Sequence, residues 1–304
     1  MASRERQNHM GCVIMSDSTC DYSAPQARLE GVRIVPFHYA DAMGRLQGDD
    51  DLFVSMTAHA FYDLIRSGAE LFTSQPSQLE FEEAFGEVLD SGDEAVLFCI
   101  SSGLSGGYEG ALMALARIER ERPEGAGRIH VVDTLHASTP MHLLVHEACH
   151  MRDAGRSATE IADWAKEARW HLQTLFMVDD LDALHRGGRV PKSVATIGGA
   201  LDVKPLLTFD LAGKLGVTGI SRGRKKGLRK LAENYRKTRS RGEDGLVVAI
   251  GDADARADAD VLAGQIREQL PGVRTLRSTI GPTIGCHVGP GMVSCCFWGE
   301  DRRS

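Results

Sequence analysis

The chain has 304 residues, of which 42% are hydrophobic and 25% are charged, and its net charge is −7. This composition is that of a folded globular protein, and it excludes a disordered or low-complexity chain. No apolar stretch approaches the roughly 18 residues that span a bilayer, and the polar start MASRERQNHMGC is not a signal peptide. The seven cysteines include no C-x-x-C pair, which favours reduced thiols over disulfides. We therefore expect a cytoplasmic protein without stable membrane insertion.

Short apolar segments alternate with amphipathic ones in the N-terminal half. Residues 12–15, 33–37, 95–100 and 129–133 predict buried strands. Helical spacing predicts one helix with Phe53, Met56, Ala60, Phe61 and Leu64 on one face, and another with Phe81, Ala84, Phe85, Val88 and Leu89. This alternation indicates a parallel sheet flanked by helices. In such sheets, ligands bind at the carboxyl ends of the strands.

A second series of elements starts near residue 174. It predicts strands at 174–180, 214–220, 246–252, 273–278 and 292–298, and helices at 193–201, about 223–239 and 256–270. The order is mixed, so we expect a mixed sheet. The sequence thus predicts an α/β protein with an N-terminal domain over residues 10–165 and a C-terminal domain over residues 166–300.

The helix predicted at 223–239 is strongly basic. Between Arg222 and Arg241 there are ten lysines or arginines and one acid, Glu233, so this segment is +9 and the rest of the chain is about −16. Apolar side chains at Leu228, Leu231 and Tyr235 form a stripe that leaves the basic residues on the solvent side. The basic face is either simply solvated or a surface for an acidic or phosphate-bearing partner; general nucleic-acid binding is not expected.

Polar loops follow several of the predicted strands. SDST (16–19), TSQPS (73–77), SSGLSGGYEGA (101–111) and IGPTIGCHVGPG (280–291) are rich in hydroxyls and glycines. Hydroxyls and free backbone N–H groups at the start of a helix favour an anion, although the same residues also serve as ordinary helix caps and turns. No nucleophile–base arrangement stands out. Cys286 and His287 are neighbours in what reads as an extended segment, where they would point to opposite sides.

The segment HEACH (146–150) matches the zinc-binding pattern H-E-x-x-H. A zinc-dependent hydrolase with His146, Glu147 and His150 is therefore an alternative function. A helical wheel, however, places His142, His146 and His150 opposite the apolar face, pointing outward. Glu160 and Glu167 are the available third ligands, and neither lies in the surroundings of a zinc protease.

The chain resembles the DegV family of bacterial fatty-acid-binding proteins. The resemblance covers residues from about 16 to 298. It is carried, in the family's order, by SDST (16–19), TSQPS (73–77), SSGLSGGY (101–108), VVDT (131–134), HRGGRVPK (185–192), SRGRKKGL (221–228) and GPTIGCHVGPG (281–291).

This resemblance implies a three-layer N-terminal domain built on a parallel sheet and a two-layer C-terminal domain built on a mixed sheet. It further implies a long-chain fatty acid in a buried apolar tunnel, with its carboxylate at the domain junction. Thr73 and Ser105 match the family's carboxylate-binding hydroxyls, and His287 matches the histidine beside the head group. Ser74 and Gly106 are expected in the same site.

Arg189 and Arg222 match arginines near the head group or on the surface that docks a partner. The resemblance implies that a separate ATP-dependent fatty acid kinase phosphorylates the bound acid, so the chain is expected to be a carrier without catalytic residues, metal or cofactor. Three departures affect head-group recognition and chain-length preference: Gly107 replaces a threonine, Glu109 replaces an amide, and Pro191 stands where a serine is common.

Overall fold

The computed structural model describes residues 11–43, 46–191 and 202–304. The helix predicted at 193–201 lies outside these residues. The strands are β1 (Cys12–Asp17), β2 (Val32–Val35), β3 (His38–Asp41), β4 (Gln47–Asp49), β5 (Leu71–Ser74), β6 (Glu94–Cys99), β7 (Ile129–Asp133), β8 (Leu172–Met177), β9 (Val203–Phe209), β10 (Leu215–Arg222), β11 (Val247–Asp252), β12 (Arg274–Thr279) and β13 (Val293–Trp298). The α-helices are α1 (Ala24–Glu30), α2 (Ala58–Arg66), α3 (Gln78–Ser91), α4 (Gly107–Glu121), α5 (Thr139–Asp153), α6 (Ala158–Ala168), α7 (Asp182–Arg186), α8 (Arg224–Thr238), α9 (Arg256–Gln269) and α10 (Pro282–Val288).

A four-stranded parallel sheet in the order β2-β1-β6-β7 forms the N-terminal half. Successive side chains of a strand point to opposite faces. Met15 and Leu97 accordingly pack against α3 and α4, whereas Ile14 and Val96 pack against α5 and α6. The prediction of a parallel sheet between two layers of helices is therefore confirmed.

A six-stranded sheet in the order β10-β9-β8-β13-β11-β12 forms the C-terminal half. Only β11 and β12 are parallel among its described pairs, so the sheet is mixed, as predicted. Leu228 and Tyr235 of α8 and Leu262 and Ile266 of α9 pack on one face of it. The apolar stripe of the basic helix is thus buried, as its spacing predicts.

Helix α5 lies between the two sheets and contacts β1 on one side and β11 and β13 on the other. The prediction that its histidines all point outward is wrong for His142, which is 1% exposed. The His142 ring lies against Tyr22, and its Nε2 is 3.0 Å from the side-chain amide of Gln26. The helical-wheel prediction assumes that a helix buries only one face. Helix α5 is buried on two faces because a sheet packs against each of them.

A small antiparallel sheet in the order β4-β3-β5 joins the N-terminal half and was not predicted. Its strands are too short for an alternation of apolar and polar side chains to be recognised in the sequence. Helix α2 begins only at Ala58, after the N-cap Thr57, so Phe53 and Met56 are not helical as predicted. Phe53 instead has a positive φ of 61° and packs edge-on against Phe61.

The glycine-rich segment near the C-terminus forms α10 rather than an extended loop. Pro282 occupies its first turn, where a missing N–H costs nothing, and Gly289 with φ 70° ends it. Cys286 and His287 therefore lie on a helix, about 100° apart around its axis. Cys286 is buried, whereas the ring of His287 faces a cavity.

The parallel sheet ends at Asp133 and the mixed sheet begins at Leu172. The boundary predicted between residues 165 and 166 falls in the last turn of α6, and it stays a prediction. In the described part of the chain, every helix is too short or too polar to cross a bilayer.

Candidate functional site

A cavity of about 310 Å³ lies where the parallel sheet, the small sheet, the mixed sheet and α10 meet. Its wall is mainly apolar and includes Phe37, Ile100, Phe176, Leu184 and Phe209. Polar groups interrupt this wall. These include six of the seven predicted residues, namely Thr73, Ser74, Ser105, Gly106, Arg189 and His287.

Thr73 and His287 come together from opposite ends of the sequence. Thr73 is in β5 and His287 is in the last turn of α10, and the threonine Oγ1 is 2.8 Å from the histidine Nε2. Burial, and then the positive charge of Arg189, lower the pKa of His287 to about 4. The imidazole is therefore neutral near pH 7. Its Nδ1 is buried without a hydrogen-bond partner among the described residues.

Ser105 and Gly106 lie in the turn between β6 and α4. The Ser105 Oγ accepts a hydrogen bond from the backbone N–H of Gly107, the first residue of α4, at 3.3 Å. Helix α4 begins directly after this glycine-rich turn. The hydroxyl is close to the unpaired N–H groups of the helix start, which favour an anion.

Arg189 places a positive charge in the cavity wall. Its Nε donates to the carbonyl oxygen of Leu104 at 3.1 Å, and its Nη1 donates to the carbonyl oxygen of Gly187. Within the described residues, no carboxylate pairs with this guanidinium. Burial lowers its pKa from the ordinary value. A half-buried cation without a counter-charge favours binding of an anion beside it.

Strand β5, which carries Thr73, pairs with β3 of the small sheet and leads into α3. Ser77 and Glu80 form a reciprocal capping box at the start of α3. His38 of β3 joins this capping box, because its Nε2 is 3.1 Å from Glu80 and its Nδ1 is 2.8 Å from Asp49. Burial lowers the pKa of His38, but the bonds to Asp49 and Glu80 raise it more. Both ring nitrogens face carboxylates, which favours the protonated form of the imidazole.

Sequence reasoning did not single out Gln75, which lines the cavity, or Gly187, which lies next to His287. The side chain of Gln75 lies against the backbone at the start of α4, where the absence of side chains leaves space. A Cβ at Gly106, the residue before the helix, would come within 2.8 Å of the Gln75 Oε1. Gly187 leaves room for His287, since a Cβ there would come within 2.3 Å of the histidine Nδ1. Gln75 lies within the TSQPS motif and Gly187 lies within the HRGGRVPK motif. The motifs therefore include both residues, but they do not indicate what either residue contacts.

Comparison with known proteins identifies the family. The family model described as "Uncharacterised protein, DegV family" matches residues 12–300. The chain belongs to the DegV family. The DegV domain-containing protein CPE0026 of Clostridium perfringens is 33% identical over 291 residues, which is 96% of this chain and 98% of that protein. A relative from Caldanaerobacter subterraneus is 30% identical, over 93% of this chain and 97% of its own length.

Two solved DegV structures extend this likeness to the fold. A DegV family protein from Thermus thermophilus, described by its fatty acid binding, has a TM-score of 0.78 at 27% identity and covers 96% of this chain and 100% of its own. A DegV lipid-binding protein from Thermotoga maritima has a TM-score of 0.81 at 26% identity, with the same coverage. These two members of the family are thus described as fatty-acid or lipid binders.

The seventh predicted residue of this DegV chain, Arg222, does not line the cavity. It is the exposed last residue of β10, directly before the basic helix α8. The position of Arg222 therefore gives no support to a contact between its side chain and the head group. Its other expected role, docking a partner, stays a prediction.

The three departures from the family pattern lie in different surroundings. Gly107 is buried, and a Cβ there would meet Phe37 and Ser105 at ordinary contact distances of 3.4 and 3.7 Å. The position therefore has room for a Cβ. Glu109 and Pro191 are exposed, so neither side chain is part of the buried wall.

The HEACH segment of α5 does not assemble three metal ligands. His146 Nδ1 is 3.2 Å from Glu30, and His150 Nδ1 is 3.6 Å from Glu147. The two residues considered as third ligands have other partners. Glu160 caps α6 at Ser157 and pairs with Arg156, and Glu167 pairs with Arg303.

Among the described residues, the only group of three possible ligand atoms within 4.8 Å of one another is His59, Asp63 and Asp254. This group lies on the surface, and the guanidinium of Arg66 already pairs with both of its carboxylates. The hydrolase alternative thus finds no support in the geometry of α5.

Three buried aspartates lie behind the cavity. Asp17 accepts hydrogen bonds from the N–H groups of Thr19 and Ile100. Asp21 accepts from the N–H of Gly281, and Asp50 accepts from the N–H of Thr283 at the start of α10. Burial raises the pKa of Asp17 and Asp50 to about 6 and that of Asp21 well above its usual range. Asp21 and Asp50 thus fix the start of the helix that carries His287.

Proposed function

We propose that this chain is a carrier that binds a long-chain fatty acid in the cavity between its sheets. The carboxylate is held by the hydroxyls of Thr73 and Ser105 together with the imidazole of His287, and Arg189 supplies the compensating charge. The observation that carries this proposal is that these four side chains, which come from distant parts of the chain, all line one mainly apolar cavity, with Thr73 and His287 in direct contact. Ser74 and Gly106 complete the surroundings of the head group.

The physical chemistry of the cavity fits an acid with an apolar tail. A carboxylate removed from water needs hydrogen-bond donors and a nearby positive charge, or its desolvation is costly. Two hydroxyls, one neutral imidazole and one guanidinium supply them. Each methylene of the tail then contributes about 0.8 kcal/mol on burial. Affinity therefore comes mainly from the tail, and orientation comes from the head group.

Related structures favour the same ligand class. The Thermus thermophilus and Thermotoga maritima proteins, at 26–27% identity, are described by fatty-acid or lipid binding. The described groups of the cavity bind a carboxylate but do not activate it, so we infer that the chemistry belongs to a separate ATP-dependent fatty acid kinase. A neighbour of the same fold, at 21% identity, is the Fak B3 protein of Streptococcus pneumoniae loaded with linoleic acid. The proposed setting is the cytoplasm, where ATP is available.

Ligand extraction tests the carrier proposal. Protein purified natively from bacteria is denatured, and its lipids are identified by mass spectrometry. We expect close to one fatty acid per chain in the wild type and almost none in the double variant Thr73→Ala with Ser105→Ala. The matched control, Thr218→Ala with Ser91→Ala, removes the same two side-chain types away from the cavity. A folded wild-type protein that neither carries nor takes up a fatty acid refutes the proposal.

A second experiment tests the kinase partner. The loaded chain is mixed with a bacterial fatty acid kinase and ATP, and acyl phosphate is trapped with hydroxylamine. We expect hydroxamate only when both proteins are present. The variant Arg222→Glu should keep its fatty acid but give less product, whereas Arg274→Glu, an equal charge change on β12, should not. Equal rates for both variants would remove Arg222 from the docking surface, and product from the chain alone would contradict the carrier role.

A further inference from the structure

A second cavity, of about 740 Å³, lies on the other side of the molecule between α5, α6 and the ends of β11, β12 and β13. It shares no lining residue with the fatty-acid cavity. The first turn of α5 borders the fatty-acid cavity, and the HEACH segment of the same helix borders this cleft. The cleft is within the size range of small-molecule sites.

Two tryptophans form the apolar base of the cleft. Trp164 of α6 and Trp298 of β13 have ring centroids 6.2 Å apart with an angle of 56° between the planes. Both indoles are half-buried and line the cavity, beside Leu143 and Leu276. Indole faces of this kind attract cations and also cover methylene groups well.

Carboxylates from three separate segments also line the cleft. They are Glu147 on α5, Asp163 and Glu167 on α6, and Glu243 and Asp244 before β11. Arg274 is the one lysine or arginine among the described lining residues. Five carboxylates against one guanidinium give this cleft a negative potential that favours a positively charged ligand.

Several of these carboxylates have only weak partners. Glu147 is 3.6 Å from His150, and Glu167 and Asp163 pair with the exposed Arg303 and Lys166. The side chain of Glu243 makes no hydrogen bond or ion pair with any described residue. Exposed ion pairs contribute little, so an incoming cation replaces them at small cost.

A metal ion does not account for the cleft. His146, His150 and His171 line it, but no three ligand atoms of its described residues lie within 4.8 Å of one another. The carboxylates are instead spread over separate elements around an apolar base. This arrangement suits several positive charges joined by methylene segments, and it does not suit one compact ion.

We propose that this cleft binds a linear aliphatic di- or polyamine. The ammonium groups pair with carboxylates of α5, α6 and the segment before β11, and the methylene segments lie on Trp164 and Trp298. The proposal is independent of the fatty-acid site. It gives a role to the HEACH segment, which forms one wall through Glu147 and the two histidines.

Calorimetry and tryptophan fluorescence with the triamine spermidine test the proposal on the full chain. At about 0.15 M ionic strength, where long-range attraction is screened, we expect saturable binding of one spermidine with a change in tryptophan emission. Glu167→Gln with Glu243→Gln should weaken binding roughly tenfold, and Trp164→Leu roughly fivefold. The matched control Glu83→Gln, an exposed acid on α3, should leave it unchanged.

Four results overturn the proposal. These are no saturable spermidine signal in the wild type, equal weakening by Glu83→Gln, unchanged binding in the cleft variants, and saturable binding of Zn²⁺ without any of spermidine. Thermal unfolding shows that each variant is folded. Fatty-acid loading, measured on the same samples, should be equal in all of them, so failure here is distinguishable from failure of the carrier proposal.

Discussion

Replacing Thr73 with valine tests the head-group contact most directly. Valine keeps the branched shape of threonine in β5 and removes only the hydroxyl, so the strand and its pairing with β3 are preserved. Two interactions are lost. One is the 2.8 Å contact with His287 in the free chain, and the other is the proposed bond to the carboxylate of the ligand.

The expected loss of affinity follows from the charge of the ligand. A hydrogen bond to a charged group contributes about 1.5–3 kcal/mol, and tenfold in affinity corresponds to about 1.4 kcal/mol, so the range is about 10-fold to 150-fold. The free chain also loses its bond between Thr73 and His287. The change in binding should therefore lie near the lower end, at about 10-fold to 30-fold.

Displacement of a fluorescent fatty acid from delipidated protein measures this change. The control Thr218→Val removes a hydroxyl that donates to the carbonyl oxygen of Leu206 in the mixed sheet, away from the cavity. We expect the control to bind like the wild type. If Thr73→Val also binds within twofold of the wild type while remaining folded, the hydroxyl does not hold the carboxylate and the proposed head-group site is incorrect.

Gly107→Thr should be tolerated, because a Cβ there has ordinary contacts, and the restored hydroxyl should tighten fatty-acid binding in the same displacement assay. Gly187→Ala should weaken binding, since its Cβ would displace His287. His38→Gln should lower the melting temperature at pH 6 but not at pH 9. The raised pKa of His38 means that its stabilisation, at most about 1 kcal/mol for a partly exposed pair, is lost as pH rises through that pKa. Asp50, with a pKa of about 6 when folded and about 3.9 when unfolded, should make the chain more stable as pH falls from 7 towards 4. Asp50→Asn should reduce this rise, to which Asp17 and Asp21 also contribute, as melting temperatures at pH 5 and pH 7.5 will show.

The long elements of the fold could be predicted because their signals are local. Buried strands such as β6 and β7 are continuous apolar runs, and helices such as α3 and α8 repeat apolar residues every three to four positions. The small antiparallel sheet has no such signal. Its strands of three or four residues exist because they pair with one another, and pairing partners such as His38 and Ser74 are 36 positions apart.

The candidate site was predictable as a set of motifs but not as a geometry. Family resemblance selected Thr73, Ser105 and His287, yet nothing near these residues says that Thr73 and His287 lie 2.8 Å apart. The same limit applies to two other residues. The motif shared with the basic helix does not say that Arg222 lies on the surface, and the helical wheel does not say that Tyr22 and Gln26 cover His142.

The sequence by itself determined the α/β class, the two sheets, the basic face of α8 and the family, because periodicity and motifs are written in consecutive residues. Only the tertiary structure decided which loops meet, that α5 is covered by a sheet on each side, and that one cavity has a cation without a counter-charge while another is lined by carboxylates and two indoles. Such features depend on distances between residues far apart in the chain, and packing of the whole molecule sets those distances.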